Sequence, residues 1–162
     1  MILSEASVKA IKEKVKLYPQ KKSAILPALT IAYRQIGHLD ATIYREIADI
    51  TRLPYVEIAE AATFYTMFPK EPRGKYLIQV CHNISCALRG SDSMMTYLEE
   101  KLGVKKGETT ADNLFTLQSM ECLGSCATAP MMQINEDYYE NLTPAKVDEI
   151  LEQLTSKAKA EA

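Results

Sequence analysis

This 162-residue chain has neither a long apolar run nor a strong charge bias. Its longest apolar stretch, residues 24–33, contains Pro27 and is far shorter than the roughly 20 residues that a helix needs to cross a bilayer. The net charge is −2, so electrostatics favours neither nucleic acid nor an anionic membrane surface as a partner. We therefore expect no nucleic-acid binding and no direct insertion into a membrane.

The motifs of several common enzyme sites are also absent. The six glycines are not arranged as G-x-G-x-x-G, the phosphate-binding loop of dinucleotide-binding folds. The two histidines, His38 and His82, form no evident acid–base set with other side chains, and we expect His82 on a surface loop. We therefore expect no catalytic residues in this chain alone.

Only four cysteines are present, and they form two local pairs. Cys81 and Cys86 have the spacing C-x4-C, and Cys122 and Cys126 have the spacing C-x3-C. The N-terminus has no basic segment followed by an apolar core, so we expect no export signal and no disulfide framework. A thioredoxin-type redox pair needs C-x-x-C, which is also missing.

A structural zinc site and an iron–sulfur cluster are the two alternatives for these thiols. Cysteine zinc sites usually contain C-x2-C pairs, and both pairs here are longer. A [2Fe–2S] cluster fits better, because each of its two irons takes two thiolates. Gly124 would let backbone N–H groups approach a cluster sulfide, and the hydroxyls of Ser85 and Ser125 are either donors to sulfur or ordinary turn residues.

Three segments around the cysteines carry a family resemblance: Cys81-His82-Asn83-Ile84-Ser85-Cys86, Gly107-Glu108-Thr109-Thr110, and Glu121-Cys122-Leu123-Gly124-Ser125-Cys126 with Ala129-Pro130. They resemble the NuoE family, the small [2Fe–2S] subunit in the NADH-dehydrogenase module of respiratory complex I. Relatives of that subunit occur in NAD-linked hydrogenases and formate dehydrogenases. Asn113 stands where we expect glycine in a turn, and asparagine tolerates the left-handed backbone.

The resemblance implies an electron-transfer subunit of NADH:quinone oxidoreductase, with a [2Fe–2S] cluster bound by Cys81, Cys86, Cys122 and Cys126. It also implies a partner subunit that binds NADH and FMN, because NADH gives a two-electron hydride and a cluster takes one electron at a time. Further iron–sulfur subunits and a cytoplasmic location, in a peripheral arm at the membrane face, follow from the same resemblance. The all-thiolate shell excludes a Rieske centre and predicts a low potential.

Apolar residues at helical spacing predict a four-helix bundle over residues 1–70. The predicted helices cover residues 5–18, run from a Ser23 cap to Ile36, run from an Asp40 cap through Ile50, and run from Pro54 to about Phe68. We expect the aromatic end at residues 64–68 to pack in the core, with a partner interface as the alternative.

After residue 70 the apolar period changes to two, which predicts strands at 76–80, 115–121, 131–135 and 138–139. Helices capped by Ser91 and Thr143 complete a βαβ–ββα order. With the family resemblance, this order predicts an α+β chain whose residues 71–162 form a thioredoxin-like [2Fe–2S] ferredoxin domain. Parallel strands would bring both cysteine pairs to one edge of the sheet, and we expect a cis bond at Pro130, as in thioredoxin-like proteins.

Overall fold

The computed structural model describes residues 2–161. These residues form two compact units, which divide between Pro72 and Arg73. The first unit is helical, and the second contains a four-stranded sheet. Between Ile2 and Glu161, none of the helices is both long enough and apolar enough to cross a membrane.

Four α-helices make up the N-terminal unit: α1 (Glu5–Lys16), α2 (Ile25–Ile36), α3 (Ala41–Thr51) and α4 (Tyr55–Phe64). Each helix turns an apolar stripe inward, because aliphatic residues recur every three or four positions. The four stripes form one buried core, in which Ile11, Leu29, Ile47 and Ile58 are completely buried.

The ends of the second and third helices test the predicted caps. The Asp40 carboxylate accepts N–H bonds from Thr42 and Ile43, which confirms the cap of α3. Ser23, however, does not cap α2, because it lies within a 3-10 turn that precedes this helix. Starting α2 at Ile25 places Pro27 in the first turn, where a missing N–H costs no intrahelical hydrogen bond.

The aromatic segment after α4 is exposed. Phe68 is only 4% exposed, but Phe64 is 76% and Met67 is 63% exposed. The expectation of core packing is therefore wrong for this segment except at Phe68. The helix ends at Phe64, four residues earlier than predicted, and the backbone at Tyr65 is extended, so the following side chains no longer repeat on the inward face.

The C-terminal unit is built on strands β1 (Tyr76–Cys81), β2 (Phe115–Met120), β3 (Met132–Ile134) and β4 (Asp137–Tyr139), in the spatial order β2-β1-β3-β4. Its helices are α5 (Ile84–Leu88), α6 (Ser91–Leu102) and α7 (Pro144–Ala160). Alternate strand residues and the apolar faces of α6 and α7 form a core around Ile78, Leu98, Leu117 and Val147. The α+β prediction is confirmed.

The register of the sheet brings the two cysteine segments to the same edge. Strands β1 and β2 are parallel, with Tyr76 opposite Phe115 and Cys81 opposite Met120. Both strands therefore end at the same level, and the second cysteine segment begins two residues after β2. Strands β3 and β4 complete the sheet in antiparallel pairing. This placement was predicted from the strand order.

Three local features differ from or extend the sequence predictions. Ser91 is the first residue of α6 rather than its cap, since Gly90 occupies the cap position with φ of 91°, a left-handed value that glycine adopts without strain. The short helix α5 and a 3-10 turn at Cys126–Thr128 were not predicted. The Ala129–Pro130 peptide bond is cis, as expected.

Candidate metal centre

The first cysteine loop, residues 81–86, is short and partly helical. Cys81 is the last residue of β1, and Cys86 lies inside α5. The Asn83 side chain accepts the N–H of Ile84 and so caps α5, which turns Cys86 back towards the end of the strand. Both thiols are buried beneath Ala129 and Met131, with exposures of 3% for Cys81 and 2% for Cys86.

The second cysteine loop, residues 122–126, follows β2 and is more open. Gly124 has φ of 81°, a left-handed conformation that a side chain would strain. Cys126 opens the 3-10 turn that ends at Thr128. Both thiols of this loop are exposed. The sheet edge therefore has one buried and one exposed cysteine pair.

All four thiols are free and lie near one another. The Cys81 sulfur interacts with the thiols of both Cys86 and Cys122, and Cys86 interacts electrostatically with Cys126. The structure thus brings together the four residues that the sequence singled out, across a chain separation of more than 30 residues.

The local environment stabilises a charged sulfur at Cys81. Burial raises the pKa of Cys81, but the backbone N–H groups of Asn83 and Leu123, together with the neighbouring thiols, lower it further, so its net pKa is below the usual value. Backbone N–H groups aimed at a thiolate are also the donors that iron–sulfur clusters use.

The second buried thiol behaves in the opposite way. Burial and the neighbouring Cys81 raise the pKa of Cys86, and the backbone N–H of Met131 only partly offsets this rise. The two adjacent sulfurs therefore share one negative charge more readily than two. A bound cation would remove that restriction, because it neutralises the repulsion between thiolates.

The second cysteine loop has supports that the sequence did not indicate. The Tyr138 hydroxyl donates to the carbonyl oxygen of Leu123 at 2.9 Å. The Glu140 carboxylate accepts hydrogen bonds from the hydroxyls of Ser125 and Thr128, and these bonds lower the pKa of Glu140 below its usual value. The Tyr138-Tyr139 pair was noted only as part of a resemblance, and a lone glutamate has no spacing signal.

The serines and the histidine near the cysteines have ordinary surroundings. The Ser125 hydroxyl is engaged by Glu140 and Thr128, so its partner in this structure is a carboxylate rather than a sulfur. Ser85 is half-buried within α5. His82 lies on the surface, as predicted, with its Nε2 atom 3.6 Å from a carboxylate oxygen of Glu121.

The residues present fit a [2Fe–2S] cluster by the chemistry of their donors. Four sulfur ligands suit iron–sulfur clusters and zinc, and two cysteine pairs match two irons. Backbone N–H groups already stabilise charge on the buried sulfurs. As the side chains stand between residues 2 and 161, no three histidine, cysteine, aspartate or glutamate groups converge to hold one metal ion.

Fold and site together define a small α+β protein with a four-thiol centre at one edge of its sheet. The model of one family, the thioredoxin-like [2Fe–2S] ferredoxin, matches residues 11–155. The chain belongs to this family.

Two curated relatives are similar over most of their length, and both are named as the E-type component of NADH-quinone oxidoreductase. The relative from Rhizobium meliloti (strain 1021) is 49% identical over 135 residues, which cover 83% of this chain and 80% of the relative. The relative from Rickettsia prowazekii (strain Madrid E) is 49% identical over 151 residues, which cover 90% and 84%. The resemblance inferred from the cysteine segments is confirmed.

A solved structure shares the fold. The NAD+-reducing [NiFe]-hydrogenase in its air-oxidized state matches with a TM-score of 0.71 and 27% sequence identity. The match covers 82% of this chain but only 23% of the hydrogenase chain, so this protein spans less than a quarter of that longer polypeptide.

Proposed function

We propose that this chain is an electron-transfer subunit of NADH:quinone oxidoreductase that carries one [2Fe–2S] cluster. Cys81, Cys86, Cys122 and Cys126 are the proposed iron ligands. The observation that carries the proposal is the meeting of these four free thiols at one sheet edge, beside N–H groups that stabilise a charged sulfur. The curated relatives, named as components of that oxidoreductase, support the assignment.

The bound cluster would supply one-electron redox chemistry, which no side chain of this protein offers. The protein residues bind and shield it. Ala129 and Met131 exclude water from the buried pair, Cys81 and Cys86, and the N–H groups of the first cysteine loop stabilise thiolate charge. The exposed second loop leaves one side of the centre accessible to a redox partner.

We infer that the partner is a subunit that binds NADH and FMN and passes electrons on to further iron–sulfur subunits. NADH releases a hydride, and a flavin is the usual group that divides a hydride into single electrons. Exposed apolar side chains next to the thiols support a docked partner here: Ile84 is 71% and Leu88 is 83% exposed on α5, the helix that contains Cys86.

We further propose a division into two domains. Residues 1–70 would form a four-helix bundle, and residues 71–162 would form the thioredoxin-like cluster domain. The separate cores of the two compact units support this division. A cytoplasmic location, in a peripheral arm at the membrane surface, is part of the same proposal.

A second candidate function is the equivalent subunit of a soluble NAD-linked hydrogenase or formate dehydrogenase. The similarity to the NAD+-reducing hydrogenase favours it. A structural zinc module is the more distant alternative, since zinc also accepts four thiolates.

Anaerobic reduction of the purified chain by NADH tests the proposed role. The chain alone should show no spin signal with NADH, because it lacks a flavin. Addition of the co-expressed flavin-binding subunit should produce the signal of a reduced cluster. Reduction by NADH without any flavoprotein would contradict the proposal, and so would no reduction with a flavin-loaded partner bound. Co-purification with hydrogenase or formate dehydrogenase subunits would favour the second candidate.

A further inference from the structure

The second cysteine loop is held on one side by a tyrosine. The hydroxyl of Tyr138, in β4, donates to the carbonyl oxygen of Leu123, directly after the first cysteine of this loop. Since β4 is the outer strand of the sheet, this bond attaches an exposed loop to a regular element. The tyrosine ring is 52% exposed, so its attachment to the loop does not come from burial.

A glutamate holds the other side of the same loop. Glu140 directly follows β4, and its carboxylate accepts hydrogen bonds from the hydroxyl of Thr128, at 2.7 Å, and from the hydroxyl of Ser125. The two hydroxyl oxygens are themselves 2.7 Å apart, so all three groups form one closed network. Ser125 immediately precedes Cys126, and the network therefore fixes the backbone that presents this thiol.

The glutamate is itself fixed in place. The Lys146 ammonium, in the first turn of α7, donates to the Glu140 carbonyl oxygen at 2.5 Å. The next residue, Asn141, donates its N–H to the Thr128 carbonyl oxygen at 2.7 Å. Backbone and side chain of this segment thus contact the same turn, and hydrogen bonds to an ionised carboxylate are among the stronger ones.

We propose that Glu140 is a positioning residue for the iron–sulfur centre. Its carboxylate fixes the exposed cysteine loop through the hydroxyls of Ser125 and Thr128, and its negative charge beside that loop lowers the reduction potential of the centre. The charge acts in this direction because reduction adds an electron, and a nearby anion disfavours added negative charge. This inference rests on the proposed function, since it requires the cluster to be present.

Three variants of the full-length, cluster-loaded chain test the inference. Glu140→Gln keeps the shape and one acceptor but removes the charge, and Glu140→Ala removes the network. Glu136→Gln is the matched control, because Glu136 lies exposed in the turn between β3 and β4 and makes no hydrogen bond to the loop within residues 2–161. The readouts are the midpoint potential, the spin signal of the reduced cluster and the rate of cluster loss to a chelator.

We expect Glu140→Gln to raise the midpoint potential more than Glu136→Gln does. Cluster loss should become about tenfold faster in Glu140→Ala, because that variant loses hydrogen bonds to a charged acceptor, which are stronger than those between neutral groups. A Glu140→Ala chain that cannot be loaded at all would agree with the inference, and the glutamine variant would then supply the potential.

Equal potentials in Glu140→Gln and Glu136→Gln, with parental rates of cluster loss in both Glu140 variants, would overturn the inference. The proposed function would stand in that case, because the parent chain would still carry its cluster. A parent chain without iron would instead reject the proposed function, whatever the variants do.

Discussion

The buried and exposed cysteine pairs place different demands on single residues. Cys81 and Cys86 lie in an apolar environment, where an unpaired thiolate is costly, whereas Cys122 and Cys126 are exposed. A bound cation therefore gains most from the buried pair, while all four sulfurs complete the coordination. Loss of a thiol from either pair should prevent stable binding of the cluster.

We predict that Cys81→Ala and Cys126→Ala each reduce bound iron from about two per chain to near zero, because a [2Fe–2S] cluster needs four thiolates. Circular dichroism should still show the helices of the N-terminal unit. Leu88→Ala, an exposed change within α5, is the control and should retain parental iron. Parental iron content in either cysteine variant would mean that the proposed ligand set is incorrect.

Gly124 provides a second test at a single position. We predict that Gly124→Ala weakens cluster retention, because a left-handed backbone costs an ordinary residue about 1–2 kcal/mol. A Cβ here would meet nothing within 4 Å, so backbone strain rather than a clash would cause the effect.

The control is Gly37→Ala, since Gly37 has φ of 83° in the N-terminal unit and is equally unobstructed. It should lower stability by a similar amount with no change in the rate of iron release. Equal rates of iron release in the two glycine variants would contradict a local role for Gly124.

The sequence predicted the four cysteines, but it did not predict their supports. Thiols are rare and their spacing is informative, so the pairs were evident from the chain alone. Glu140 acts from 14 residues beyond Cys126, through two hydroxyls in a turn, and no sequence pattern encodes such a contact. Backbone N–H donors to sulfur are equally invisible to residue type.

At the scale of elements, helix caps are local and testable. We predict that Asp40→Ala lowers the stability of the N-terminal unit by about 1 kcal/mol, because α3 loses the acceptor for two N–H groups. Urea unfolding of the full chain, followed by circular dichroism, measures the loss. Asp49→Ala, inside the same helix and exposed, is the control. Equal losses in the two variants would reject the capping role.

A carboxylate joins the two helices of the C-terminal unit. Asp148 in α7 accepts the Tyr97 hydroxyl of α6 at 2.7 Å and pairs with the Lys101 ammonium at 2.9 Å. The ion pair with Lys101 and the bond from Tyr97 lower the pKa of Asp148. A group with a lowered folded-state pKa contributes stability above its unfolded pKa and loses that contribution as the pH falls.

We therefore predict that Asp148→Asn destabilises the C-terminal unit at pH 7, and that the deficit shrinks as the pH falls below about 4. Unfolding curves of parent and variant at several pH values measure the difference. Glu149→Gln removes a neighbouring exposed charge and serves as the control. A deficit that does not change with pH would contradict the assigned ion pair.

Element types were more predictable than element ends. Aliphatic period and proline position predicted the four N-terminal helices, while the start of α2 and the end of α4 were shifted by two to four residues. Short helices inside the cysteine loops were missed because five or fewer residues carry no measurable period.

At the scale of the whole molecule, chain order and sheet register place the chemistry. Parallel pairing of β1 with β2 brings segments about 40 residues apart to one edge, and this pairing follows from the βαβ connection. The strand order was predicted only with the help of a family resemblance, because alternation of apolar residues indicates strands but not their neighbours.

The central claim is that the four thiols together hold one [2Fe–2S] cluster. The most direct measurement is metal and sulfide analysis of the purified full-length chain, combined with electron paramagnetic resonance before and after reduction. We predict about two irons and two acid-labile sulfides per chain, with a spin signal only after reduction. Stoichiometric zinc without sulfide, and no spin signal in either state, would contradict the claim.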